Sequence, residues 1–295
     1  MPLNYVSKFE NVLSELYGHS LKSDDLFHSN EDIQIINTKD LRLPNLTVSG
    51  YKDHTRNSGF NTGSYENDFQ TVSLDHDRDI EFGIDPMDVD ETNLIVTVAN
   101  IQKRFETMQA IPELDCYTFS KLYTEAVRVS AHISTTALTT ANILDQLDDD
   151  MAAFSEDGVP LERCILYCTP TVKKLLKNAQ GIQRTLNVSS GNGIDRRVYT
   201  LDDIKKIQEV PSDRLLTAYD FTDGYSAAAS GKQINYILVD PEAQVSRVKY
   251  SYIQLFEPGS DSRTADRYMY QNRRFNGTFG LDALLAKGVR FNVAS

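Results

Sequence analysis

The chain has 295 residues, of which 42 are acidic and 30 are basic, so its formal net charge is −12. This excess of negative charge disfavours nonspecific binding to duplex DNA or to anionic membranes, because such binding needs clustered lysine and arginine. Apolar residues make up 40% of the chain and aromatic residues 9%, which is enough to build a folded core.

Residues 1–45 form the first predicted unit, an extended N-terminal arm. Their apolar residues are too scattered to build a core, and residues 32–36 offer only a short strand before Pro44. We expect the arm to pack against another surface, although a frayed terminus has the same composition. The chain begins without a basic cap and an apolar run, so no signal peptide is predicted. No stretch approaches the roughly 20 apolar residues of a membrane span.

Residues 46–85 predict an extended β-hairpin loop with a tip at about 52–67 that is rich in Asn, Gly and Ser. The returning strand alternates strictly, with apolar residues, His76 and Arg78 at even positions and polar residues at odd positions. Carboxylates two residues apart on one side of a strand lie about 7 Å apart. The odd side therefore carries a carboxylate ladder of four residues: Asp75, Asp77, Asp79 and Glu81.

Residues 86–135 predict a long amphipathic helix that Pro112 kinks or restarts. Asp90 or Thr92 can cap its N-terminus. Apolar residues recur at helical spacing before and after the proline. These are Leu94, Val98, Ile101, Phe105 and Met108, and then Phe119, Leu122, Tyr123, Ala126, Val129 and Ile133.

Residues 136–245 predict a compact unit of alternating helices and strands. Helices are expected from about 139 to 154 and from 171 to 178, and strands at 164–168, 214–219 and 234–239. Residues 246–295 predict strands rich in Tyr, Phe and Arg, at 250–256, 267–279 and 289–293.

No set of residues predicts catalysis, a cofactor or a metal. Gly224 and the Gly231–Lys232 pair lack the spacing of a phosphate-binding loop. The Asp75 segment starts like a calcium loop, but Ile80 takes the place of its invariant glycine. Cys164 and Cys168 have no second ligand pair nearby, and only three cysteines are present, the third being Cys116. We therefore expect no disulfide framework and a reducing compartment.

Charge is distributed unevenly along the chain. Residues 71–100 carry eight acidic groups and one basic group, residues 141–160 carry six acidic groups and no basic one, and residues 243–295 carry eight basic and four acidic groups. Such asymmetry is typical of interaction surfaces, although any single run can equally be a solvated face.

The order of these parts resembles the major capsid proteins of tailed phages, which have the Hong Kong 97-like coat fold. Three stretches carry the resemblance: residues 68–82, similar to the extended loop; residues 111–115, similar to the spine helix region; and residues 161–174, similar to the axial domain. The resemblance implies an α+β fold with an N-terminal arm (1–45), an extended loop (46–85) and a spine helix within the first part of a peripheral domain (86–135). An α/β axial domain (136–245) and the C-terminal strands of the peripheral domain (246–295) would follow.

The function that the resemblance implies is a structural shell protein rather than an enzyme. Copies of the chain would form pentamers and hexamers that tile an icosahedral head around double-stranded DNA, a nonspecific cargo. Portal and scaffolding proteins would be partners during assembly in the host cytoplasm, no membrane would be involved, and the mature location would be the virion. Some such coats cross-link Lys to Asn side chains, but we do not expect Lys52 to be joined to Asn272 or Asn276.

The candidate contact residues between subunits follow from the charge pattern. We expect the carboxylate ladder to face basic groups of a neighbouring copy, for which the candidates are Arg263, Arg267, Arg273 and Arg274. A ladder that is simply solvated is the alternative. Two other functions stay open at this point: a phage-associated enzyme or accessory protein with an active site in residues 136–242, and a nucleic-acid binder that uses the basic C-terminal strands.

Overall fold

The computed structural model describes residues 21–30, 40–54, 56, 60–87, 98–179, 204–260 and 265–295. The helices in these residues are α1 (Asp24–Phe27), α2 (Val98–Phe105), α3 (Ile111–Arg128), α4 (Ile143–Glu156), α5 (Pro170–Lys177) and α6 (Asp282–Gly288). The strands are β1 (Asp40–Val48), β2 (Tyr65–Ser73), β3 (His76–Ile84), β4 (His132–Ser134), β5 (Ile165–Cys168), β6 (Lys206–Glu209), β7 (Tyr219–Asp220), β8 (Ser226–Ala227), β9 (Ile234–Val239), β10 (Gln244–Phe256), β11 (Tyr268–Gly280) and β12 (Val289–Val293). Single 3-10 turns occupy Leu161–Arg163, Ser212–Arg214 and Pro241–Ala243.

The extended hairpin consists of β1 and β2, which pair antiparallel from Asp40 opposite Ser73 to Val48 opposite Tyr65. The predicted hairpin started six residues later and included the carboxylate ladder, and the structure corrects both points. The chain leaves the hairpin at Leu74, which is buried against Val245 and Phe279. The ladder strand β3 then pairs with β11 in a separate three-stranded sheet of order β10-β11-β3.

A five-stranded sheet of order β4-β12-β9-β5-β6 holds the main core. Because side chains alternate along a strand, β5 directs Ile165 and Tyr167 to one face and Leu166 and Cys168 to the other. The first pair packs in one core cluster with Phe119 and Leu122 of α3, and the second pair packs in another cluster with residues of α4 and α5. The sheet is therefore covered by α3 on one face and by α4 and α5 on the other.

The last strand, β12, lies in this five-stranded sheet, between β4 and β9. The sequence grouped it with the strands at 250–256 and 267–279, so its placement is corrected. Helix α6 separates β12 from β11, and Phe291 and Val293 of β12 are buried in the core beside α3. The alternate residues Val289, Phe291 and Val293 join the core on the α3 face, while Arg290 and Asn292 point to the other face, where they pair with Asp157 and the Thr136 carbonyl.

Helices α2 and α3 form one continuous helical stretch joined by a π turn, Glu106–Ala110. Within this turn the N–H of Ile111 donates to the carbonyl of Glu106, five residues back. The wider turn admits Pro112, which lacks an N–H donor, without ending the helix. The predicted apolar stripe holds in α3, where Phe119, Leu122 and Ala126 are buried. In α2 and the π turn it holds only in part: Ile101 and Phe105 are half-buried, but Gln102 and Glu106 are buried and Met108 is 56% exposed, while Leu94, Asp90 and Thr92 lie outside the described residues.

Within the predicted arm, residues 21–30 are docked on the same chain. The carboxylate of Asp115 in α3 accepts hydrogen bonds from the backbone N–H groups of Lys22 and Ser23 and from the Ser23 hydroxyl. Leu26 is fully buried in the core. The remaining arm residues, 1–20 and 31–39, lie outside the described residues.

Candidate interaction site

The inner face of the three-stranded sheet is fixed to the long helix by two arginines. Arg78 of β3 and Arg274 of β11 are directly opposite each other in the register, an arrangement that is repulsive without counter-charges. Arg78 donates to Glu113 at 2.7 Å, and Arg274 donates to Glu106 at 2.9 Å. Each glutamate belongs to the helical stretch, so the two ion pairs neutralise the opposed arginines and hold the helix on the sheet.

The same arginine, Arg78, also anchors the short β7–β8 hairpin. Its guanidinium donates to the carbonyl oxygens of Phe221 and Gly224. Next to it His76 is buried, with its ring stacked on Tyr117 at a centroid distance of 4.0 Å. The even side of the ladder strand is thus an internal surface, as its alternation predicts.

The odd side of the strand is exposed, but two of its four carboxylates form ion pairs with cationic side chains of their own chain. Asp75 accepts hydrogen bonds from the Lys121 ammonium and from the Tyr117 hydroxyl, both at 2.6 Å. Partial burial alone would raise the pKa of Asp75, but these two hydrogen bonds hold that pKa below its ordinary value. Asp77 accepts two hydrogen bonds from Arg273, at 3.0 and 2.6 Å.

Two of the four candidate arginines, Arg273 and Arg274, are also paired within their own chain. Arg273 lies beside β3 because β11 and β3 are adjacent strands, and its pairing with Asp77 raises the pKa of its guanidinium. Arg274 is directed inward to Glu106. Arg267 is exposed, and Arg263 lies outside the described residues. The structure therefore joins Asp77 to Arg273 within one chain, where the sequence led us to expect a pair between two chains.

Asp79 and Glu81 remain on the open face of the sheet. Glu81 accepts a hydrogen bond from the Gln271 amide at 2.6 Å, and Asp79 forms no ion pair within 4 Å among the described residues. A shallow cavity of about 340 Å³ lies beside them, with Tyr250 and Tyr252 in its lining. The two tyrosine rings are parallel, with centroids 6.5 Å apart.

The extended hairpin exposes apolar side chains along one face, a feature that the sequence analysis did not single out. Leu46, Val48, Tyr65 and Phe69 are between 53% and 78% exposed. Val48 lies opposite Tyr65 in the register, and positions two or four residues along a strand share its face. The alternation of residues 46–48 indicates that Leu46 and Val48 share one face of a strand. Whether another part of the chain covers that face can be decided only from the fold.

The three thiols and the Asp150 carboxylate are enclosed in the core. Cys116, Cys164 and Cys168 are buried, and burial raises the pKa of each thiol to about 12. Asp150 is 2% exposed and accepts a hydrogen bond from the Tyr236 hydroxyl at 2.6 Å, so this pair lies within the core.

Among the described residues, no group of His, Cys, Asp and Glu side chains could hold a metal ion. In that same part of the chain, no helix is both long and apolar enough to cross a membrane.

Comparison with known proteins gives matches in structure and none in sequence. No family model and no curated protein matches the chain. The asymmetric unit of the bacteriophage PhiM1 mature capsid matches with a TM-score of 0.64 and 13% identity, over 88% of this chain and 82% of that chain. The capsid of cyanophage P-SCSP1u matches with a TM-score of 0.59 and 13% identity, over 88% and 85% of the two chains.

A further match, from Microbacterium phage Oxtober96, has a TM-score of 0.62 and 9% identity and covers 94% of this chain and 91% of that chain. The coverage is high on both sides of each comparison, so the similarity extends over nearly the whole chain. The chain has the fold of phage capsid proteins, and the α+β capsid fold predicted from the sequence is confirmed.

Proposed function

We propose that this chain is a phage major capsid protein, which self-assembles into pentamers and hexamers of an icosahedral head shell. The observation that carries the proposal is the match to solved phage capsids over at least 88% of the chain at TM-scores near 0.6. A fold alone does not define a function, so the proposal also needs a surface built for assembly.

The hairpin supplies such a surface. Its two strands are packed against each other, and its apolar face, formed by Leu46, Val48, Tyr65 and Phe69, is left in solvent. Contiguous exposed apolar side chains are costly in a monomer and typical of protein interfaces. A second copy of the chain is the occupant that a shell protein requires, and apolar burial at such contacts would provide most of the free energy of assembly.

The division into arm, extended loop, peripheral domain and axial domain is part of the proposal. We assign residues 40–73 to the extended loop and the three-stranded sheet with the long helix to the peripheral domain. The five-stranded sheet with α4 and α5 forms the axial domain, and β12 belongs to it. The charged residues Asp79, Glu81 and Arg267 stay candidates for contacts between subunits, because they are exposed.

The partners and location follow from the same proposal. Copies of the chain bind one another, portal and scaffolding proteins take part during assembly in the host cytoplasm, and double-stranded DNA is enclosed without sequence recognition. The mature protein lies in the virion. A shell built from this acidic chain does not neutralise the charge of the DNA, so small cations balance that charge. The DNA is then able to slide along the shell during filling.

We infer that the protein is not an enzyme and that its subunits are not cross-linked through Asn272 or Asn276. Both asparagines are buried in their own chain, and Asn272 donates to the carboxylate of Glu106 at 2.7 Å. A lysine of another copy therefore has no access to either amide. A single monomer band on a denaturing gel of mature particles is the expected result, and a ladder of covalent oligomers would contradict it.

Sizing and electron microscopy of the purified protein test the function. We expect rings or shells for the natural chain. The Val48→Thr/Tyr65→Thr variant removes apolar groups from the exposed face and should leave a folded, unassembled subunit. Thr47→Ser/Glu66→Gln changes the opposite face of the same strands and is the matched control. A natural chain that stays monomeric under all assembly conditions would contradict the proposal.

A further inference from the structure

Two helices on the same face of the five-stranded sheet display opposite charges. Helix α4 buries Ile143, Leu147, Met151 and Phe154 against the sheet. At 3.6 residues per turn, positions 145, 149 and 156 fall within about 40° of one another around the helix. The outward side of α4 therefore carries an acidic stripe, which consists of the exposed residues Asp145, Asp149 and Glu156.

Helix α5 presents the complementary charge. It buries Val172 and Leu176, and Lys174 and Lys177, three residues apart, are both exposed on the other side. Residues at this spacing are neighbours on a helix surface, about 5–6 Å apart at Cβ. Both lysines line an open cavity of about 220 Å³ together with Lys173, Asn178 and Glu209. Glu209 is paired with Lys173, so the ammonium groups of Lys174 and Lys177 are the donors that the cavity offers to a carboxylate side chain.

In the described part of the chain, neither charged surface takes part in an ion pair. Among the described residues, no ion pair within 4 Å involves Asp145, Asp149, Glu156, Lys174 or Lys177. By contrast, the neighbouring Lys173 is paired with Glu209 at 2.9 Å, and Asp157, just after α4, is paired with Lys287 at 3.2 Å. The chain thus displays an exposed basic surface and an exposed acidic one on two helices that cover the same face of the sheet, and the two are complementary in charge.

We propose that the acidic stripe of α4 in one copy docks against Lys174 and Lys177 of α5 in the next copy. The two surfaces are different parts of one subunit, so the contact is head-to-tail, and a head-to-tail contact that closes on itself makes a ring. The opposite charges set the register of the contact and raise the rate of encounter. This inference rests on the proposed function, because it places the contact inside the ring-shaped capsomer.

A charge-swap experiment in the full chain tests the contact. Asp145→Lys/Asp149→Lys and Lys174→Glu/Lys177→Glu should each lower the assembled fraction at least tenfold, because two like-charged surfaces then meet. The quadruple variant restores opposite charges and should assemble within twofold of the natural chain. Lys103→Glu/Arg104→Glu is the matched control for the lysine variant: it makes the same change in net charge as Lys174→Glu/Lys177→Glu, at exposed positions of α2, and should assemble normally.

A disulfide experiment gives a second readout that does not depend on net charge. Chains with Asp149→Cys and chains with Lys174→Cys are mixed and oxidised, and a covalent heterodimer should form in the mixture in at least tenfold excess over either chain alone. The natural cysteines are buried and do not compete. Lys103→Cys in place of Lys174→Cys is the control.

The outcomes separate the two proposals. If the natural chain assembles and both double variants assemble equally well, the α4–α5 contact is refuted while the capsid function stands. If the quadruple variant is no better than the doubles, the pairing is also refuted. If the natural chain forms no ring or shell, the capsid function itself fails. Circular dichroism of each variant should match that of the natural chain, since all the altered side chains are exposed.

Discussion

Glu106, in the π turn, accepts two hydrogen bonds from Arg274 of β11, at 2.9 and 3.0 Å. The two side chains are only 2% and 16% exposed, and Asn272 donates a third hydrogen bond to the same carboxylate. Burial raises the pKa of Glu106, and the opposing effects of Arg274 and Asn272 are smaller. The pair therefore fixes the π turn to the sheet. Each of its two buried charges is stabilised by the opposite charge of the other.

Replacing Glu106 alone should be strongly destabilising. In Glu106→Gln the buried Arg274 guanidinium loses the carboxylate that accepts two of its hydrogen bonds, and we expect a loss of about 3 kcal/mol in the free energy of unfolding. Urea denaturation of the unassembled subunit measures this loss. The double variant Glu106→Gln/Arg274→Met removes both charges and should lose less than the sum of the single changes. Strict additivity would show that the two charges do not interact.

Gly277 cannot carry a side chain without moving a buried leucine. A Cβ atom at this position would lie 2.1 Å from Cδ2 of Leu74, which is only 2% exposed. We expect Gly277→Ala to lose about 1–3 kcal/mol through overpacking. In a Leu74→Ala background the same change should cost much less, because the clashing atoms are gone. Gly50→Ala, where nothing lies within 4 Å, is the control, and an equal cost at the two glycines would contradict the explanation.

Two residues after the end of helix α3 lies a residue, Ser130, whose backbone suits glycine better than serine. Ser130 has a φ of 58°, and beside it the N–H of Ala131 donates to the carbonyl of Ala126. Only glycine adopts this left-handed conformation at no steric cost. Ser130→Gly should therefore raise the free energy of unfolding by about 0.5–1 kcal/mol in thermal or urea denaturation. Ser155→Gly, within α4, should have the opposite effect, since glycine lowers helix propensity.

The existence of the main elements could be predicted because local patterns determine them. The strand at 234–239 and the strand at 289–293 have the predicted bounds, and the alternation of β3 separates an internal side from an exposed one as expected. The sequence predicted a helix that Pro112 kinks or restarts. The structure instead has a π turn just before Pro112, which accommodates the missing N–H donor of the proline so that the helix continues.

What could not be predicted is the pairing of distant segments. Strand β3 was assigned to the hairpin because its neighbour in sequence lies there, but β11, almost two hundred residues later, supplies its actual partner. Arg273 comes beside Asp77 only through that pairing, so its role inside the chain was not visible in the sequence. Similarly, the sequence analysis assigned no role to Glu106, which lies outside the predicted apolar stripe and whose partner Arg274 lies 168 positions away.

The Asp75 carboxylate should make a pH-dependent contribution to stability. Its pKa in the folded chain is held below the ordinary value, against the effect of burial, by Lys121 and Tyr117. Above about pH 4, the ordinary range for aspartate, both the folded and the unfolded chain carry the charge, and the folded state gains the full stabilisation. As the pH falls through the lowered pKa, the folded state must take up the proton and this stabilisation is lost.

Asp75→Asn tests directly whether the contribution of Asp75 to stability is lost as the pH falls. The amide keeps an acceptor for Tyr117 but cannot pair with the Lys121 ammonium, so the variant should be less stable than the natural chain at pH 6. Because Asp75 is half exposed and solvent screens the pair, we expect a difference below about 1 kcal/mol. Urea denaturation of both chains between pH 6 and pH 3 should show the difference shrinking toward zero as the solution becomes more acidic. A difference that stays constant with pH would mean that Asp75 acts through packing and not through its charge.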